Sequence, residues 1–198
     1  EAGMDKTFSL DTLPQEYTAY GNGDYRINGL EIEQADDSET ANLKFESYEI
    51  RKGKYSLKGL PAMFAGADEA ETLEIVLSDR ASGLKTHLLY GVFPHLDVIT
   101  RAVRLENTGT APVTVKKAMS VEMDYEYREL DAVHFYGRHN MERQMERVHL
   151  GHGNWSVGSI RGTSSHHHNP FVILCDRNTE ENHGECYGYA LAYSGNFA

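Results

Sequence analysis

Residues 161–170 read Arg-Gly-Thr-Ser-Ser-His-His-His-Asn-Pro, the stretch where residue type and spacing come nearest to chemistry. On a strand, His166 and His168 share one face and His167 takes the other. Two imidazoles at i, i+2 make half of a metal site, and the remaining ligands must converge from elsewhere. His134, His139 and Glu142 are available but stand at no diagnostic spacing. The competing reading is a crowded polar turn whose imidazoles hydrogen-bond locally before Pro170. A third use is contact with a carbohydrate or a protein surface. For that use the candidates are Trp155, His166, His168 and Asn169. The indole of Trp155 offers a flat platform for a pyranose face, although a lone indole in a strand ordinarily fills core.

Other chemistry does not assemble. Asp36-Asp37, Glu69 with Glu71, and Glu180-Glu181 lie in polar, turn-like surroundings. Pairs like these arise by chance among 30 acidic residues and read as solvated loops. No Gly-x-Ser-x-Gly elbow, phosphate loop or dinucleotide fingerprint occurs. Met119, Met123, Met141 and Met145 read as core filling. Asn154-Trp155-Ser156 has the form of a glycosylation acceptor. The two cysteines, Cys175 and Cys186, are too few for a disulfide framework. If 171–175 and 187–193 pair as strands the sulfurs come close, but the expectation is two free, buried thiols.

The elements that must position these groups are strands. Val113, Val115, Met119, Val121 and Met123 alternate with polar or small residues over one long run, with Lys117 an intruder on the apolar face. Leu73, Ile75 and Leu77 alternate likewise, as do Ile99, Val103 and Leu105, and Tyr187, Tyr189, Leu191 and Tyr193. Leu43 and Phe45 begin another run whose phase slips before Tyr48 and Ile50, which predicts a bulge. Turn residues punctuate the runs at Asn22-Gly23-Asp24, Arg51-Lys52-Gly53-Lys54 and Asn107-Thr108-Gly109-Thr110. Residues 139–150 fit either a helical turn, through Met141, Met145 and Val148, or an irregular strand. Some ten strands without a βαβ rhythm predict an all-β fold, a large antiparallel β-sandwich.

A chain of 198 residues fits one domain, or an unusually compact pair, and is long enough for a substantial core. Thirty acidic against 19 basic residues give a net charge of −11, which argues against nucleic acid or an anionic membrane as partner. No apolar run reaches the roughly 20 residues that span a bilayer. Without a visible secretory signal the expected location is cytoplasmic.

Several segments together resemble a known family. Phe8-Ser9-Leu10-Asp11-Thr12-Leu13-Pro14-Gln15-Glu16-Tyr17, then Tyr20-Gly21-Asn22-Gly23-Asp24-Tyr25-Arg26, is similar to the D-x-L-P-x-E-(Y/F)-x-x-x-G-x-G-D-(F/Y)-R stretch of bacterial α-galactosidases of glycoside hydrolase family 36. Arg143-Gln144-Met145-Glu146-Arg147 and the run Gly158–Phe171 resemble that family's later segments, the second its SxRGxSSHxHNPF pattern. The close of the chain, Tyr187–Phe197, is similar as well. The matches are long, ordered and run from about residue 8 to 197.

The resemblance implies a galactose-mutarotase-like β-supersandwich, the N-terminal domain that precedes a (β/α)₈ catalytic barrel. The whole of 1–198 would then be a single β-sandwich domain, a fragment that begins late and stops early relative to the family pattern. It implies that the two catalytic aspartates lie on the barrel, so no catalytic residue, metal or cofactor is expected here, and the chain alone is expected to be inactive. The implied partners are the barrel, an α-galactoside such as melibiose or raffinose reached through the parent enzyme, and further copies in a homo-oligomer. In the family pattern the position of His167 varies while its flanks recur. That implies His166 and His168 packed on one face of a structural corner, with no metal between them.

Overall fold

The computed structural model describes residues 10, 13–21, 23–126, 128–163 and 166–198. Ten strands run through them: β1 (Leu30–Gln34), β2 (Lys44–Lys52), β3 (Glu71–Ser78), β4 (Leu84–Phe93), β5 (Val98–Asn107), β6 (Val113–Ala118), β7 (Leu130–Arg138), β8 (Met141–His149), β9 (His168–Asp176) and β10 (Cys186–Ala190). Every strand pairing is antiparallel. Among the described residues no helix is long and apolar enough to cross a membrane. The described residues fall into two compact units. One takes those up to Lys58 together with Met63–Tyr125, the other Gly59–Ala62 with Glu126–Ala198.

The first unit layers a two-stranded sheet, β1-β6, with a four-stranded sheet in the order β2-β3-β4-β5. Its core gathers Tyr17, Leu30, Ile32, Leu84 and Leu88, with Ile75, Leu77, Tyr90, Val103 and Leu105 packed against them. The predicted bulge is present. Phe45 pairs with Leu77 and Ser47 with Val76, so Glu46 is the extra residue. Phe45, Tyr48 and Ile50 thereby look to the same side as Leu77, Ile75 and Leu73, their partners on β3.

A second bulge resolves the Lys117 anomaly. The register of β1 with β6 shifts between Glu31 and Ile32, leaving Lys116 unpaired. That one-residue shift turns Lys117 away from the apolar side and sets it across from Glu31, to which its Nζ lies at 2.6 Å. The long strand expected through Met123 ends at Ala118. The residues after it instead receive the amino-terminal segment. The Tyr17 hydroxyl donates within reach of Met119 O (2.8 Å) and Gly29 O (3.1 Å). Thr18 N–H and O–H donate to the Glu122 carboxylate, and Gln15 N–H to Asp124.

The second unit is one four-stranded sheet in the order β10-β9-β7-β8. Within 139–150 the structure has a strand, β8, and not a helix, because Met141–His149 pairs along its length with β7. A two-residue connection, His139-Asn140, joins them, with Asn140 in the left-handed region that asparagine tolerates (φ 63°). The run from Trp155 to Ile160 is not one of the strands and forms an isolated bridge, Ser159 to Phe197. Met119, Met123, Met141 and Met145 are exposed, so the core-filling reading of all four fails.

Candidate functional site

Neighbouring registers in the second sheet and the loop before β9 bring two of the four candidate residues, Trp155 and His168, to one place. On β7, Ala132, His134 and Tyr136 alternate to one face. Directly across on β8 stands Glu146, whose Oε2 lies 3.0 Å from His134 Nε2. On the other side β9 pairs Val172 with His134 and, beyond an irregularity, His168 with Tyr136. The His134 ring consequently meets Tyr136 at 5.9 Å between centroids and His168 at 6.3 Å, nearly parallel to the latter. Trp155 reaches the same imidazole from the preceding loop, at 5.4 Å and tilted by 60°.

That loop is fixed by the end of the chain. Ser159 and Phe197 exchange backbone hydrogen bonds of 2.9 and 3.1 Å, and Gly162 N–H donates to Asn196 Oδ1. A side chain at Gly158 would strike Phe197 O, so glycine permits this close approach. Trp155 is 37% exposed. His168 and Asn169 are half-buried at the start of β9, and His167, exposed, meets His168 edge-on. His166 is half-buried in the preceding turn and makes none of these ring contacts. Ser164 and Ser165 lie outside the described residues.

Polar atoms inside the cluster are left over. Among the described residues His134 Nδ1 and His168 Nδ1 are buried and find no hydrogen-bond partner, and the same holds for Asn169 Oδ1, next along β9. Burial first, and then the neighbouring His167 and His134, hold the His168 pKa below the usual histidine value. The cluster is an aromatic and imidazole platform with one carboxylate, Glu146, at its margin. Such a group can stack and hydrogen-bond. It does not present the two carboxyl groups about 5 Å apart that a retaining glycosidase uses. Among the described residues no three His, Cys, Asp or Glu side chains gather as a metal requires.

Of the carboxylates buried elsewhere, Asp79 accepts from the Ala81 N–H and the Ser82 hydroxyl, whereas Glu74 and Asp131 are engaged by cations. Glu74 on β3 meets His87 Nδ1 (2.7 Å), Arg51 (2.7 Å) and Arg104 (3.0 Å). Burial pushes its pKa up, but those three hydrogen bonds outweigh burial and hold it below the ordinary value. Asp131 on β7 behaves alike, burial opposed by Arg147 and His149. These are structural ion pairs within sheets. His134 stands at no diagnostic spacing in the sequence, and Glu146 carries no signal of its own there. The alternation of Ala132, His134 and Tyr136 is a pattern that could have set His134 on a strand face.

Comparison with known proteins finds the model of the glycosyl hydrolase family 36 N-terminal domain matching residues 1–198. The bifunctional α-galactosidase/sucrose kinase AgaSK of Mediterraneibacter gnavus is 54% identical over 197 residues, covering 100% of this chain and 21% of that protein. The α-galactosidase AgaA of Geobacillus stearothermophilus is 43% identical over 194 residues, covering 98% of this chain and 27% of that protein. Among solved structures, the galactosidase domain of AgaSK superposes with a TM-score of 0.94 at 54% identity, over 98% of this chain and 27% of that one. An AgaA variant in complex with raffinose gives 0.94 at 42% identity, over 97% of this chain and 27% of that one. The chain thus spans about a quarter of the length of these relatives.

Proposed function

The chain belongs to the glycosyl hydrolase family 36 N-terminal domains, and from that premise we propose that it is the non-catalytic β-sandwich part of an α-galactosidase. On this reading bond cleavage takes place on a (β/α)₈ barrel encoded outside these residues. The substrate is a terminal α-galactoside such as raffinose or melibiose, hydrolysed with retention. The strands described above buttress that barrel and take part in homo-oligomer assembly. No residue of this chain carries a catalytic role.

One observation supports a buttressing role above the others. Phe45, Tyr48 and Ile50 on β2 are 64%, 65% and 63% exposed although they continue the core-facing side of β3. A soluble chain rarely leaves such a row uncovered unless another surface packs there. Phe64, in the loop that follows β2, is 95% exposed.

A 4-nitrophenyl α-galactoside assay on the isolated chain and on its full reading frame tests the proposal. Turnover is expected from the full frame and none from the chain. Turnover by the chain alone that disappears on mutating one of its own carboxylates, such as Glu146→Gln, overturns it. Titration calorimetry with raffinose is expected to give no saturable heat from the isolated chain. Saturable binding there would make the His134 cluster a sugar site in its own right.

A further inference from the structure

Cys175 on β9 and Cys186 on β10 are the two cysteines of the chain, and the register of the strands sets them directly opposite each other. The phase of the ladder follows from its hydrogen bonds. Asp176 N–H donates to Glu185 O at 3.3 Å and Leu191 N–H to Pro170 O at 2.9 Å, so those pairs occupy hydrogen-bonded positions. Antiparallel ladders alternate, which puts Cys175 and Cys186 at a non-hydrogen-bonded position. There the α-carbons stand about 4.5 Å apart and the side chains lie closest. That separation falls within the roughly 4.4–6.8 Å that a disulfide spans.

Directly paired residues leave the same face of a sheet, so the two sulfurs start on the same side. Their surroundings differ. Cys175 is buried, its S–H donating to Asp131 O at 3.7 Å, whereas Cys186 is exposed, contrary to the expectation that both are buried. Both are free thiols in the structure. β10 is short, with five residues, and among the described residues pairs only with β9. Short edge elements of this kind open cheaply, which gives a buried partner access to reaction.

We infer that Cys175 and Cys186 form an oxidation-sensitive pair, in which Cys186 captures a small disulfide oxidant and Cys175 resolves it into a cross-strand disulfide. With a disulfide RSSR, the Cys186 thiolate attacks one sulfur, forming Cys186–S–SR and expelling RS⁻. Cys175 then loses its proton and attacks Cys186 Sγ, and the second RS⁻ departs. Two protein thiols give up two electrons and two protons, and one RSSR becomes two RSH. Burial raises the Cys175 thiol pKa, so the resolving step quickens as pH rises.

Incubating the purified chain with oxidised glutathione, quenching with acid, and mapping the peptides by mass tests the pair. Both thiols are expected to vanish together. A linked pair of peptides, two hydrogens lighter than their sum, should appear and revert with dithiothreitol. In Cys175→Ser, Cys186 should instead retain one glutathione. Wild-type chain that stores glutathione on Cys186 while Cys175 stays free overturns the inference, and so does survival of both thiols. The wild-type result decides the matter even where a variant folds poorly.

Discussion

Arg26 lies fork-on against Asp24, Nη2 to Oδ2 at 2.6 Å and Nε to Oδ1 at 2.9 Å, while its Nη1 reaches Asp124. The Arg26 end of the Gly-x-Gly-Asp-Tyr-Arg segment is thereby fastened to the residues that follow β6. The hydrogen bond from Arg26 holds the Asp24 pKa below the ordinary carboxylate value. A depressed carboxylate contributes stability that is complete above its unfolded pKa, about 4, and drains away as pH falls through the folded value. Arg26→Gln is expected to flatten the stability curve below about pH 4. It should also cost roughly 2 kcal/mol at neutral pH, because a charged hydrogen-bond network loses its centre. Urea melts at several pH values read both effects.

His168 works in the same direction, in a higher window of pH. Its folded pKa lies below the ordinary histidine value, chiefly through burial. The unfolded chain therefore binds a proton first, and stability declines as pH drops from about 6.5. His168→Gln should remove that stretch of pH dependence. Trp155 is the single tryptophan and shares the His134 ring with His168, so its emission gives a local readout. Emission that ignores pH between 7 and 5 would show that no proton enters the cluster.

Tyr17 predicts a loss at one atom. Its hydroxyl is the donor that reaches Met119 O and Gly29 O, and burial raises its pKa far above the usual phenol value, with Glu122 adding to the effect. Tyr17→Phe keeps the ring and takes the donor from Met119 O, while Gly29 O keeps the Met119 N–H at 2.8 Å. The expected cost is about 1–3 kcal/mol in a chemical melt. A neutral result would mean that water replaces the hydroxyl.

Gly83 makes the sharpest backbone prediction. It adopts φ 76°, accepts the N–H of Thr108 at 3.0 Å, and has no room for a Cβ, which would sit 2.7 Å from Gly109 N. Gly83→Ala forces both a left-handed alanine and a clash between two turns. A loss of at least about 1 kcal/mol is expected from the conformation alone. An unchanged midpoint would show that the turns separate without cost.

What could be read in advance follows from where the information resides. The bulge in β2 was visible because Phe45, Tyr48 and Ile50 are close in sequence and their alternation breaks audibly between them. The reading of Lys117 as an intruder failed because a bulge at Lys116 is set by pairing with β1, more than eighty residues away. The same holds for the candidate site. Trp155 and His168 could be flagged by type, but His134 joins them only through two registers, β7 with β8 and β7 with β9. Short apolar spacing at 139–150 was open to a helix because Met141, Met145 and Val148 fit both periods, and only the partner strand decides.

The spare residue in β2 carries a consequence for the length of the chain. Glu46 has no counterpart on β3, so excising it would leave Phe45 and Tyr48 two steps apart in an unbroken ribbon, still looking the same way. Loss of one residue at a matched position such as Glu49 would instead roll the end of the strand over, trading Ile50 for Arg51 on the greasy side. Length at this edge can therefore vary by a single codon at Glu46, whereas the next few positions are locked in step.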